Sequence, residues 1–103
     1  MNALNEQYDA IHADGTLIRI TVTLTAPVED PHQNGKDWCC TLTLLPFFVE
    51  PQPVYGISAL QSLSIALSLV KRTLTGFQTM GGKILAEDGT ALGPVSEWLE
   101  IQE

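Results

Sequence analysis

The sequence has few basic residues and few cysteines, and it has no long apolar run. Five Lys and Arg stand against twelve Asp and Glu in 103 residues, which gives a net charge of −7. Such a charge opposes binding to nucleic-acid phosphates and to anionic lipid, so we expect neither nucleic acid nor a membrane as a partner. No apolar segment approaches the ~20 residues of a transmembrane helix. The N-terminal residues lack the basic and apolar regions of a signal peptide, so we expect a cytoplasmic protein.

The only two cysteines, Cys39 and Cys40, are adjacent. Neighbouring Cα atoms are ~3.8 Å apart, which is shorter than the ~4.4–6.8 Å that a disulfide usually spans, and strand geometry sends the two side chains to opposite faces. We therefore expect two reduced thiols, in agreement with a cytoplasmic location. The length allows one hydrophobic core, so we expect a single domain over residues 1–103.

The longest periodic segment lies between Gly56 and Gly76 and predicts one long helix over about residues 58–75. Ser58 and Gln61 have the spacing of a capping box, and Gly76 suits the left-handed residue that ends a helix. Apolar residues repeat at helical intervals and form a stripe that we expect to face the core. The stripe consists of Leu60, Leu63, Leu67, Val70 and Leu74, widened by Ala59, Ala66 and Phe77.

A second apolar feature lies on the same helix. Ile65 and Leu69 form a ridge about 140° from the centre of the stripe, and a helix packed on one sheet cannot bury both features. Either the C-terminal segment around Trp98 covers this ridge, or another protein surface does. We therefore predict a candidate interface for a partner protein or a second copy of the chain, formed by Ile65, Leu69, Ser62 and Arg72.

Alternating apolar and polar residues predict strands before the helix. Residues 6–26 are typical of a hairpin with a three-residue loop, in which a left-handed Gly15 sets Asp9 opposite Arg19 on the outer face. Residues 27–37 predict an eleven-residue polar loop. A third strand follows, with its apolar side inward and formed by Trp38, Cys40, Leu42 and Leu44.

Prolines and glycines divide the remaining segments of the chain. Pro46, Pro51 and Pro53 permit only an edge strand or an irregular crossing before the helix. Residues 83–92 predict a second short hairpin, and residues 94–103 form either a short helix or a last strand. The sequence therefore predicts an α+β fold, with a mainly antiparallel sheet of about four or five strands and one long helix packed across one face.

Three groups of residues invite a chemical interpretation. The segment 76–83 resembles a phosphate loop, but its lysine stands one place late and the segment runs from helix to strand, so we expect a turn. Cys40 and His12 both point inward, yet the predicted strand order places them too far apart for a nucleophile and its base. We predict a core thiol and a histidine at the end of the hairpin.

The third group lies in the polar loop and contains Glu29, Asp30, His32 and Asp37. These residues match no calcium-loop spacing, and zinc sites usually offer further His or Cys ligands. We expect a solvated acidic loop, and we predict no catalytic, cofactor-binding or metal-binding residue in the chain.

Threonines occupy the outward positions of two predicted strands, at Thr21, Thr23, Thr25, Thr41 and Thr43. They form either a flat recognition surface or the solvated face that an antiparallel sheet commonly carries.

Two motifs and two later positions stand out between residues 37 and 89. They are Asp37-Trp38-x-Cys40, then Gly56-x-Ser58-x-Leu60-Gln61-x-Leu63-x-x-Ala66-Leu67, followed by Leu74 and Gly82. With these residues the segment resembles a small bacterial family described only as a domain of unknown function. The resemblance implies a cytoplasmic α+β domain and carries no catalytic residues.

Two hypotheses of function follow. The first is a non-enzymatic protein-interaction module of the immunity or regulatory kind, which uses the Ile65 and Leu69 ridge or the acidic surface. The second is a small-molecule-binding or enzymatic domain, with a pocket between helix and sheet near Trp38 and Cys40. The small size, the negative charge and the lack of a catalytic set favour the first.

Overall fold

A computed structural model describes residues 2–30 and 37–99. Within these residues the chain forms an antiparallel sheet of six strands with one long helix packed against it, so the predicted α+β class is confirmed. None of the described helices has the length and apolar character needed to cross a membrane. The elements are β1 (Asn2–Ile11), β2 (Leu17–Thr25), β3 (Val28–Asp30), β4 (Asp37–Leu45), β5 (Gln52–Gly56), α1 (Ala59–Thr79), β6 (Lys83–Ile84) and α2 (Val95–Trp98).

Strand β4 lies inside the sheet and pairs with three other strands. Cys39 pairs with Val28 of β3 on one edge and with Tyr55 of β5 on the other. Leu42 similarly lies between β2 and β5. Strands β2 and β3 therefore follow one another along the same edge of β4, and the order across the sheet is β5, β4, β2 with β3, β1 and β6.

The predicted polar loop over residues 27–37 is wrong at both ends, because β3 and the first residue of β4 lie within it. Between β2 and β3 the pairing with β4 shifts by one residue, as in a β-bulge. Pro27 has no N–H to donate there. The Thr25 hydroxyl accepts a hydrogen bond from the Thr41 backbone N–H, at 2.8 Å, and so satisfies a donor at the break. Residues 31–36 lie outside the described residues.

Both predicted hairpins are confirmed, and their loops share an Asp-Gly-Thr sequence. In the first, Gly15 has φ of 90° and Asp9 pairs with Arg19 at 3.0 Å. In the second, residues 84–92 close around Gly89, which has φ of 87°. Local turn chemistry therefore determines both loops.

The start of α1 is confirmed and its end is not. Ser58 Oγ accepts from Gln61 N at 3.1 Å, while Gln61 Oε1 accepts from the Ile57 N–H at 2.6 Å. Gly76 lies inside the helix, which ends in a Schellman motif at Gly81, with φ of 98°.

Phe77 explains why the helix continues past Gly76. Its ring is 7% exposed and packs edge-on against Phe47, with ring centroids 5.6 Å apart. Burying a Phe contributes about 1.5–3 kcal/mol, which exceeds the roughly 1 kcal/mol cost of a helical glycine. As a result Lys71 and Arg72 lie away from the last turn of the helix.

The buried face of α1 differs from the predicted stripe. Leu60 is 77% exposed, whereas Ser62 and Ala66 are fully buried. At 100° per residue, the buried set is centred about 60° from the predicted one, toward Leu69. The residues of the buried set are Ser62, Ala66, Val70, Leu74 and Phe77.

A close approach between β5 and the first turns of α1 accounts for this rotation. A Cβ on Gly56 would lie 2.6 Å from the Ser62 backbone nitrogen, so the two backbones are almost in contact. Only small side chains fit at such a contact, and Ser62 and Ala66 provide them. Larger side chains such as Leu63 and Leu67 flank the contact and are half-buried.

Substitutions at the two ends of the predicted stripe distinguish the observed helix face from the predicted one. We expect Leu74→Ala to destabilise the protein by about 2–5 kcal/mol, because Leu74 is 1% exposed and its loss leaves a cavity. Leu60→Ala should change stability by less than about 0.5 kcal/mol. Urea unfolding followed by circular dichroism measures both, and a similar loss for the two variants would contradict the observed face.

The Asp-Gly-Thr loops predict a pH dependence. Hydrogen bonds from the side chain and backbone of Thr90 lower the pKa of Asp88, and those from Thr16 lower the pKa of Asp14. Each ionised carboxylate therefore stabilises the folded state above the unfolded pKa of ~3.9, and this contribution is lost as the pH falls through the lowered folded-state pKa.

We expect Thr90→Val to raise the pKa of Asp88 and to leave that of Asp14 unchanged, because only the Thr90 hydroxyl is removed. Carboxyl carbon shifts in an NMR titration report both values in one experiment. An unchanged Asp88 pKa in the variant would show that the hydroxyl has no part in the shift.

Candidate functional site

The two faces of the sheet have different surroundings. Inward residues of β2 and β4 pack against α1 in the core, whereas the outward residues of Leu17–Thr25 and of 39–45 keep part of their side chains exposed. Neither described helix packs on the outward side, since the buried residues of both belong to the core on the inward side. Within residues 2–30 and 37–99, the outward side is therefore an open surface.

The strand registers assemble an uncharged region on this surface, which we call the uncharged sheet face. Directly paired residues share a face, and four successive rows contain no Asp, Glu, Lys or Arg. The rows are Gln7, Thr21 and Leu45; Asn5, Thr23 and Thr43; Thr41 and Pro53; and Val28, Cys39 and Tyr55.

Hydroxyl groups occupy the middle of the uncharged sheet face, and apolar groups lie toward its ends. Val28 is 60% exposed and Tyr55 is 41% exposed in one end row, and Leu45 is 42% exposed in the opposite one. Beyond Leu45, the next outward row is the ion pair of Asp9 and Arg19. The chain as a whole carries a charge of −7, and no charged residue lies in these four rows.

The predicted helix interface is only partly available. Ser62, one of its four residues, is fully buried, so its prediction as a surface residue is wrong. Leu69 is half-buried against the core, whereas Ile65 is 39% exposed and Arg72 is exposed. The rotation of α1 described above has moved one half of the ridge inward. The described part of the C-terminal segment, residues 94–99, does not cover the ridge, because Trp98 packs on Tyr8 at the other side of the helix.

The thiol of Cys40 belongs to a closed polar cluster in the core. Ser62 Oγ lies 3.1 Å from Cys40 Sγ and donates to the Val54 carbonyl at 3.1 Å. Cys40 is 1% exposed and its Sγ lies 3.6 Å from the Ser62 carbonyl oxygen. A ligand that entered near Trp38 would therefore not reach this thiol without a rearrangement of the core.

The His12 and Cys40 dyad is not formed. The His12 ring packs against Phe77, with centroids 5.4 Å apart, while Cys40 contacts Ser62. Ser62 and Phe77 are separated by fifteen residues of α1, or about 22 Å of helix at 1.5 Å per residue. The histidine and the thiol thus lie near opposite ends of the helix.

The other two chemical candidates are also accounted for. The segment 76–83 contains the last turn of α1 and its Schellman end, and it does not form a phosphate loop. The backbone of Glu29, Asp30 and Asp37 lies in β3 and β4, and His32 falls outside the described residues. Among the residues described, no group of three or more His, Cys, Asp or Glu is placed to hold a metal ion.

An apolar cleft that the sequence did not locate lies on the inward side, between β1, α1 and the C-terminal segment. Its volume is about 240 Å³, and Tyr8 and Trp98 form part of its wall. Glu6 is the one charged residue among the described residues that line it. The feature of the sequence that could have revealed the cleft is this glutamate, because it occupies an inward position of β1 between Leu4 and Tyr8.

The opposite orientations of the two cysteines predict different reactivities. We expect one thiol per folded chain to react rapidly with Ellman's reagent, because Cys39 lies on the uncharged sheet face and Cys40 is 1% exposed. Cys39→Ser should abolish the rapid reaction, and both thiols of the parent protein should react in denaturant. Rapid reaction of two thiols in the folded protein would contradict the burial of Cys40.

Comparisons of the chain with protein-family models, curated proteins and solved structures found no match. The resemblance of residues 37–89 to a bacterial domain family thus stays a prediction, and the functional argument depends on the surfaces of this chain.

Proposed function

We propose that the protein is a non-enzymatic interaction module that binds a partner protein through the uncharged sheet face. The observation that carries the proposal is the assembly of four rows without a charged residue, on the open side of the sheet, in a protein with a charge of −7. The centres of protein interfaces are depleted of charged residues in the same way.

The composition of the face suits contact with protein. Val28, Leu45 and Tyr55 offer exposed apolar surface at the two ends, and Tyr is among the residues enriched at interfaces. The threonines between them lose little conformational freedom on binding, because their branched side chains are already restricted in a strand. Their hydroxyl groups supply hydrogen bonds to a partner.

The size of the face indicates the kind of complex. Its four rows extend over about 20 Å along β4, at ~3.4 Å per residue, and its four strands over about 14 Å, at ~4.8 Å per strand. The resulting area of roughly 300 Å² is smaller than the ~800 Å² per partner of a standard interface. The complex is therefore a transient one, or the partner also contacts the surrounding acidic surface.

The negative charge of the protein outside the uncharged sheet face further defines the partner. A partner with an uncharged centre and a basic rim complements the face and its acidic surroundings, and the rim charges accelerate association at low salt. This description agrees with a regulatory or immunity role, in which a small acidic domain binds a larger basic protein.

Affinity capture with a charged variant tests the proposal. We expect the parent protein to retain a stoichiometric partner from a native lysate. Thr43→Glu should retain at least tenfold less of this partner, because the new carboxylate would be buried unpaired at the centre of the interface. Ser64→Glu introduces the same charge at an exposed position of α1 and should retain the partner.

Capture is quantified by mass spectrometry, and crosslinking then maps the contact. Circular dichroism confirms that the two variants fold alike. Absence of a stoichiometric partner, or equal retention by Thr43→Glu and Ser64→Glu, would contradict the proposed use of this face.

A further inference from the structure

The apolar cleft contains a charged residue that the core does not require. Glu6 lies inward on β1, opposite the buried Val22, at a position where the neighbouring strand residues on the same side are apolar or aromatic. No hydrogen bond or ion pair joins Glu6 to another described residue. The Glu6 side chain is exposed to solvent, so its carboxylate is available to a ligand that enters the cleft.

Two aromatic rings face the cleft beside this carboxylate. The rings of Tyr8 and Trp98 have centroids 5.8 Å apart and planes inclined by 45°. Burial raises the pKa of Tyr8, and the charge of Glu6 raises it further, so the field of the carboxylate reaches the phenol. The two rings and the carboxylate therefore line the same cleft.

The geometry of the C-terminal segment holds Trp98 in place. Its indole Nε1–H donates to the Gly93 carbonyl at 3.0 Å, and the same carbonyl accepts from Gln78 Nε2 at 3.0 Å. Gln78 Oε1 also accepts from the Val95 N–H at 2.9 Å. The last turn of α1 thus fixes the aromatic wall of the cleft before any ligand enters.

We propose that the cleft binds an organic ammonium ion that carries a small alkyl group. The carboxylate of Glu6 attracts the positive charge, and the faces of Tyr8 and Trp98 stabilise it through cation–π interactions. Leu67 and Leu74 of α1 contact the alkyl part. A neutral apolar ligand would desolvate Glu6 without compensation, and a metal ion would find one charged oxygen ligand among the described lining residues, so both fit less well.

The site is independent of the proposed protein interaction. It lies on the inward side of the sheet, bounded by α1 and the C-terminal segment, whereas the uncharged sheet face lies on the outward side. A volume of about 240 Å³ accommodates a ligand of a few heavy atoms. A small alkylammonium such as choline is therefore a suitable probe.

Titration with choline and with its neutral carbon isostere, 3,3-dimethylbutan-1-ol, tests the assignment. The two probes have nearly the same shape, so their difference reports the charge alone. We expect choline to bind about tenfold more tightly, with the largest NMR shifts at the Trp98 indole and at the amides of Tyr8 and its neighbours. Equal affinity, shifts elsewhere in the protein, or no binding of either probe would overturn the proposal.

Substitution of Glu6 distinguishes the effect of its charge on binding from the effect of the shape of the cleft. Glu6→Gln keeps the size of the side chain and should reduce the preference for choline to less than about twofold. Glu50→Gln removes the same charge at an exposed position outside the cleft and should leave the preference unchanged. A preference that survives in Glu6→Gln would show that Glu6 is not the residue that selects a cation.

Discussion

The close approach of Gly56 to Ser62 is the constraint on which the rest of the molecule depends. The lack of a Cβ at Gly56 lets the end of β5 lie against the first turns of α1, where a Cβ would come within 2.6 Å of the Ser62 nitrogen. Ser62 then satisfies the Val54 carbonyl with its hydroxyl and contacts the Cys40 thiol. This contact positions the first turns of α1 over β4 and β5, and the last turns of the helix reach β6 and His12.

That position of α1 creates both candidate surfaces. Because the first turns of the helix lie over β4 and β5, the described residues that cover the inward side of Leu4, Glu6 and Tyr8 come from the flank of α1 and from the C-terminal segment. The apolar cleft opens where these three elements meet. The second consequence concerns the outward side of the sheet, on which no described helix packs. The registers then align its threonines with Val28 and Tyr55.

Local chemistry made much of the fold predictable. The three-residue loop at Gly15, the Asp9 and Arg19 pair and the cap at Ser58 each depend on residues close in sequence or directly opposite in a hairpin, so their patterns were sufficient. The helix end at Gly76 was mispredicted because the preference of glycine for a helix terminus is weaker than the burial of Phe77 against Phe47.

The helix face was mispredicted for a related reason. Hydrophobic periodicity favours the largest apolar residues, and so it placed Leu60 in the core and Ser62 on the surface. The contact at Gly56 selects small residues instead, and this selection depends on the distance between two elements that sequence spacing does not report. The uncharged sheet face was only partly predictable for the same reason. The alternation of apolar and polar residues identified the threonines. The pairing of β3 with β4 adds Val28 to them, but β3 lies in a segment whose sequence resembles a loop.

Ser62 and Glu6 are polar residues at otherwise apolar positions of the inward side, and their surroundings give them different meanings. Ser62 is fully buried, and its hydroxyl donates to a carbonyl that would otherwise lack this partner, so packing and hydrogen bonding explain its presence. Glu6 has no such partner among the described residues, and it lies beside two aromatic rings in an open cleft. A polar residue that breaks the local pattern without structural compensation is expected at functional sites. The contrast therefore assigns Ser62 to the architecture and Glu6 to binding.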